Sequence, residues 1–144
     1  MTREDHLGRL IDHVHLVVAD VGASRRFYRA ALGALGRELT WDSDEAFACD
    51  ELFVSNAHMT GGHSTAPHRV HLAFQARDRE AVARFHAAAI AAGGRDNGVA
   101  GERPYHPGYY GAFVLDPDGN NVEAVHHGRG RRSAASVVIA IEVP

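Results

Sequence analysis

Lysine is missing from this chain of 144 residues, and all 15 basic side chains are arginine. Without lysine there is no amine for Schiff-base chemistry, no anchor for pyridoxal phosphate and no phosphate-cradling P-loop. Cysteine is nearly absent as well, since Cys49 stands alone. One thiol forms neither an internal disulfide nor a Cys-cluster zinc site, which excludes a secreted disulfide scaffold. Positive charge is not in excess: the formal net charge is −3, so no basic field points to nucleic acid or to an anionic membrane. No apolar run approaches the roughly 18 residues of a membrane span. The first residues, Met-Thr-Arg-Glu-Asp-His, carry acids where a secretory leader carries bases. The expectation is a cytoplasmic protein that binds neither nucleic acid nor membrane.

What is present is an ordinary globular balance, 45% hydrophobic and 23% charged. The length suits one unit with a real core. Histidine stands out, with 11 residues. Residues 11–18, Ile-Asp-His-Val-His-Leu-Val-Val, are β-branched and apolar and predict a strand. Residues 22–35 carry Phe27, Ala30, Ala31, Leu32 and Leu35 at helical spacing, with Asp20 or Ser24 as cap and Gly33 or Gly36 as terminator. Short strands are expected at Arg37–Thr40, Ala46–Cys49 and Leu52–Ser55, and a linker at 58–68. The pattern then restarts with a strand over 69–76 and an alanine-rich helix over 79–92. A loop is expected through Gly98–Gly108. Strands at Tyr109–Leu115 and Asn120–His126 follow, joined by the tight-turn sequence Asp116-Pro117-Asp118-Gly119.

The restart is a repeat. A shift of 58 positions places His13 on His71, Asp20 on Asp78, Ala23 on Ala81, Arg26 on Arg84, Phe27 on Phe85, Ala31 on Ala89 and Gly36 on Gly94. A shift of 56 aligns Val14-His15-Leu16 with Val70-His71-Leu72 but loses the helix register. The chain therefore reads as two copies of strand, helix and short antiparallel strands, with a histidine at an equivalent place on each first strand. Such units can set their sheets side by side and leave a cleft between them.

In this arrangement the sequence resembles the vicinal oxygen chelate superfamily, which contains glyoxalase I, fosfomycin-resistance enzymes, bleomycin-binding proteins and extradiol dioxygenases. The resemblance runs from Ile11 to His126. It is carried by Asp12-His13-Val14, Asp20 and Phe27-Tyr28 in the first half. In the second it is carried by His71-Leu72-Ala73-Phe74 and by Phe113 through Glu123. It implies an α+β fold of two βαβββ modules forming a curved mixed sheet around a metal or ligand cleft. A single glyoxalase-like domain would span 8–144, with module 1 over 11–57, module 2 over 69–127 and a tail over 128–144. In that tail, the basic stretch from Gly128 to Ser133 precedes an apolar run, Val137–Val143, which suits an extra edge strand.

The resemblance also implies one divalent ion (Fe, Mn, Ni, Co or Zn) held by His13, His71 and Glu123. Two imidazoles and one carboxylate suit such ions and leave positions open for two substrate oxygens. His15, two residues from His13 and on the same strand face, is the rival first ligand. The implied activity is that of a metal-dependent lyase, isomerase or transferase acting on a small oxygen-containing molecule. An Fe(II) extradiol ring-cleaving dioxygenase and a non-catalytic bleomycin-type resistance protein are the alternatives. Glyoxalase I commonly adds a second Glu late in its first module, and here only Glu51 is acidic near that strand. The dioxygenase pattern places a tyrosine where this chain has Phe113. The loop Arg103-Pro104-Tyr105-His106-Pro107-Gly108-Tyr109-Tyr110 is the candidate substrate segment. Within it, His106, Tyr109 and Tyr110 are candidate proton carriers, and Arg103, Tyr105 and Phe113 candidate substrate contacts. Family members are often dimers with sites built across chains, so a homodimer is expected.

Overall fold

The computed structural model describes residues 11–60 and 69–131. Within them the order of elements is βαβββ, twice. The first module comprises β1 (Val14–Val17), α1 (Val21–Ala34), β2 (Trp41–Asp42), β3 (Ala46–Cys49) and β4 (Leu52–Ser55), and a 3-10 turn (Ala57–Thr60) follows it. The second comprises β5 (His71–Gln75), α2 (Arg79–Ala91), β6 (Arg95–Glu102), β7 (Tyr110–Leu115) and β8 (Asn121–His126). Each module makes its own mixed sheet of four strands, ordered β1-β4-β3-β2 and β5-β8-β7-β6. The first and last strands of each module run parallel and the other pairs antiparallel. The α+β class and the paired modules are as expected, and the sheets form two separate hydrogen-bonded units among the described strands. The expected strand at Val137–Val143 and most of the expected linker lie outside the described residues.

Both helices start on the residues that the repeat singles out. Asp20 accepts a hydrogen bond from Ala23 N and Asp78 one from Ala81 N, each satisfying a donor of a first turn. The same offset appears where the parallel strands end. Val18 N–H donates to Ser55 O at 2.9 Å, and Ala76 N–H donates to Val125 O at 2.8 Å. Ser55 is therefore the counterpart of Val125, Phe53 of Glu123, and His13 of His71. At the helix C-termini the correspondence slips by one, because α1 has 14 residues and α2 has 13. The terminating glycines with positive φ are Gly36 (79°) and Gly93 (101°). Gly94, the sequence match of Gly36, serves another purpose. A Cβ there would lie 2.5 Å from Val114 Cγ1 and 2.7 Å from Phe27 Cε2, so its bareness lets the two modules close.

Two expectations are corrected. The strand expected over Arg37–Thr40 begins later, at Trp41. Arg37 N–H still bonds back to Leu32 O of the helix, and pairing with β3 starts where Thr40 N–H meets Ala48 O. The expected loop from Gly98 is strand through Glu102, kept in the ladder by two register shifts at Gly98 and Gly101. Glycines that read as loop residues are bulge residues here.

The modules share one hydrophobic cluster. Phe27, Tyr28, Ala31 and Leu32 of α1 join Val82, Phe85 and Ala89 of α2, with Phe47, Val54, Val114 and Val122 from the strands. α1 and α2 pack against each other. The turn between β7 and β8 then locks the halves together. Asp116 is buried and accepts from Tyr28 Oη at 2.7 Å, Asn120 Nδ2 at 2.9 Å and the amides of Asp118 and Asn120. Asp118 reaches back to the start of α1 through Ala19 N and Ser24 Oγ. Among the described residues, no helix is long and apolar enough to cross a membrane.

Burial first, and Asp116 beside it second, hold the Tyr28 phenol well above the usual tyrosine range. The folded chain thus keeps this proton while the unfolded chain loses it above about pH 10. A raised folded value gives stability that is full below that pH and is lost as pH rises further. Tyr28→Phe is expected to cost about 1–2 kcal/mol near neutrality and to flatten the alkaline loss of stability. Denaturant titrations at neutral and alkaline pH read both effects.

Candidate functional site

Helix α2 packs against one side of the second sheet, and the candidate side chains lie on the other. Strand alternation decides which residues reach it. Glu123 on β8 pairs in register with Ala73 of β5 on one side and Phe113 of β7 on the other. His71, Glu123, Phe113 and Gly111 therefore share a face. The carboxylate of Glu123 is buried, at 2% exposure, whereas the His71 side chain is 53% exposed. His71 Nε2 donates to Glu123 Oε1 at 2.9 Å. Tyr109 Oη donates to Glu123 Oε2 in a short hydrogen bond. Both carboxylate oxygens are thus occupied, as a buried carboxylate requires. Burial, and then the bond to Glu123, push the Tyr109 phenol up. Gly111 makes room for this contact, since a Cβ there would lie 3.0 Å from Glu123 Oε2 and 3.3 Å from Tyr109 Cε1.

The loop before β7 closes over the same region. His106 Nδ1 donates to Pro107 O, which leaves Nε2 to accept from His127 Nδ1 at 2.9 Å. The two imidazoles stack, and the Tyr109 ring packs edge-on against His127, His106 and Tyr105. Burial, then the neighbouring His106, hold His127 below the usual histidine range. Arg103 lies over the Phe113 ring, and that ring also meets His71, with centroids 5.9 Å apart. Arg103, Tyr105, His106, Tyr109, Phe113, His71 and Glu123 are thus brought together.

Tyr110 is not among them. It points to the helix side, where Arg79 sits 4.7 Å above its ring. His127 and Gly111 belong to the site and were not singled out from the sequence. The signal for both was parity: residues 109, 111 and 113 alternate onto the face of 123, and 127 follows 123 and 125.

The first module carries a different surface. His15 Nε2 is hydrogen-bonded to Ser55 Oγ at 2.7 Å, and burial holds its imidazole below the usual range. Phe53 takes the place equivalent to Glu123, packed between His15 and Trp41. Glu51 is exposed at the turn before β4, so this module has no carboxylate at the equivalent position. His13 is exposed and bonds Asp12 Oδ1 through Nδ1 at 2.6 Å. Among the described residues, no group of three or more His, Cys, Asp or Glu side chains is placed to hold a metal ion. Within one chain, His13 therefore does not join His71 and Glu123. The pair itself suits adjacent coordination positions. Donors about 2.0–2.1 Å from an ion and at right angles stand about 2.9 Å apart, the separation found here.

Residues 10–124 match the family model of the glyoxalase/bleomycin resistance protein/dioxygenase superfamily. Among solved structures, a glyoxalase/bleomycin resistance protein from Albidiferax ferrireducens is 30% identical, covering 80% of this chain and 96% of its own, with a TM-score of 0.63. A glyoxalase-related enzyme from Fulvimarina pelagi is 22% identical, over 81% of this chain and 87% of its own, with a TM-score of 0.64. A lactoylglutathione lyase from Agrobacterium tumefaciens is 21% identical, over 83% of this chain and 94% of its own, with a TM-score of 0.60. No curated protein matches significantly. With the paired βαβββ modules and the site on the second sheet described above, the match over most of its length makes this chain a member of the glyoxalase/bleomycin resistance protein/dioxygenase superfamily.

Proposed function

We propose that the protein is a divalent-metal-dependent enzyme of this superfamily, acting on a small molecule that offers two oxygen donors. The observation that carries this reading is the His71–Glu123 pair: a buried carboxylate, 2% exposed, 2.9 Å from a solvent-facing imidazole. His71 and Glu123 would supply two ligands, and His13 of a second copy the third, in a homodimer. A bound divalent ion at this place supplies Lewis-acid polarisation of a substrate oxygen. The chain's own residues do the rest. Tyr109 holds Glu123 Oε2 and so turns Oε1 toward His71. His106 and His127 wall this tyrosine in, with His106 on the exposed side.

Metal analysis of protein purified without chelator tests the reading. About one divalent ion per chain is expected, and Glu123→Gln and His71→Ala should each lose it while keeping the fold by circular dichroism. Protein that is metal-free and takes up none on dialysis against Fe, Mn, Ni, Co or Zn salts would reject it. A second reading, a metal-free binding module, is favoured by the aromatic ledge of Trp41 and Phe53, whose rings stack at 6.0 Å with Trp41 43% exposed. That reading predicts no metal uptake and quenching of Trp41 fluorescence by a flat aromatic ligand.

A further inference from the structure

Several of the described arginines are paired with acids. Arg25 and Arg29 share Asp42, Arg79 takes Glu102, and Arg77 and Arg84 lie on Asp78. Arg103 has no carboxylate partner among the described residues. Its Nη2 donates to Val99 O at 2.6 Å and its Nη1 to Glu102 O at 3.2 Å, and its guanidinium lies 5.3 Å from the Phe113 ring centroid. The adjacent acid, Glu102, is drawn to the helix side by Arg79, at 3.0 Å. The backbone is shaped to admit the guanidinium. A Cβ at Gly98 would come within 3.2 Å of Nη2 and one at Gly101 within 3.0 Å of Nη1. Carbonyl dipoles and an aromatic face anchor this cation, and at least half of its five N–H donors stay unspent.

Its location gives the charge a use. Phe113 is the cross-strand partner of Glu123, and its ring meets both His71 and Arg103. We propose that Arg103 and Phe113 form an anion subsite, so that the substrate carries a carboxylate at one end and an apolar or planar middle that rests on Phe113. The oxygen donors at its far end face His71 and Glu123, and this last clause alone rests on the metal reading above. A planar guanidinium with free donors matches a carboxylate by two parallel hydrogen bonds, which a point-charge lysine does not reproduce.

The test uses benzoate and its uncharged counterpart benzamide as probes, titrated by NMR into the full-length protein with and without added metal. Benzoate is expected to bind about tenfold more tightly than benzamide. Arg103→Gln should erase the difference, and Arg103→Lys should keep only part of it. The preference should be present without added metal, which separates this subsite from the metal proposal. A protein that fails to take up metal yet prefers benzoate through Arg103 would sink the metal reading and leave the subsite standing. No binding of benzoate, equal binding of the two probes, or a preference that survives Arg103→Gln overturns the proposal. An Arg103→Gln variant with a lowered melting temperature and an unchanged benzoate preference also overturns it, because the side chain would then serve the β6 bulge alone.

Discussion

Equal mixing of His13→Ala and His71→Ala chains is expected to restore metal binding that neither variant shows alone. Each variant by itself should lose more than about 100-fold in affinity, the upper range seen when only a supporting hydrogen bond of a ligand is lost. His71 and Glu123 stand together on the second sheet, while His13 lies apart on the first module with its imidazole on Asp12. In a two-fold dimer with shared sites, one chain gives His13 and the other gives the pair. A mixed dimer of the two variants then has one intact site and one doubly damaged site. Random reassortment should recover about a quarter of the sites of the wild type. Metal content after exchange through mild denaturant reads the result. Recovery of none, with each variant alone metal-free, would mean that all three ligands come from one chain. Full metal content in His13→Ala would remove His13 from the set and return His15 to consideration.

Asp116→Ala is expected to destabilise the fold by about 3–5 kcal/mol. The buried carboxylate accepts four hydrogen bonds, from Tyr28, from the Asn120 side chain and from two backbone amides. Removing it orphans several donors at once, and each buried unsatisfied donor costs about 1–3 kcal/mol. The variant also frees the turn that carries Asp118, which ties the second module to Ala19 and Ser24. Chemical denaturation should show the loss, and calorimetry should show a broadened or split transition as the modules uncouple. A cost below about 1 kcal/mol would mean that water replaces the carboxylate there.

Much of this architecture was legible in the residues. Asp20 and Asp78 announce helix starts because a carboxylate at an N-cap satisfies amides that nothing else can reach. The apolar strand around His71 and the Asp-Pro-Asp-Gly turn were equally plain. What was hidden depends on tertiary contacts. The turn reads as local chemistry, yet its side chains clasp α1 some 88 positions away in sequence, Tyr28 to Asp116. Gly98 and Gly101 break strand propensity, and only pairing with β7 keeps them in the ladder. Trp41 pairs with Ala48 although the strand pattern pointed to earlier residues. In the site, the loop was identified as a whole, but strand parity separates Tyr109, on Glu123, from Tyr110, beneath Arg79. The equivalence of His13 and His71 was visible as a repeat. Their separation within the chain was not, because periodicity says nothing about how two modules are set side by side.

Phe53, standing where the second module has Glu123, also decides how much charge a loaded centre would keep. Two neutral imidazoles and a single carboxylate cancel only half of a dipositive ion, so one positive charge remains at the floor of the site. A second carboxylate in place of Phe53 would have brought the sum to zero and favoured neutral ligands. With the phenyl ring there, the open positions of such a centre would favour anionic donors over neutral ones.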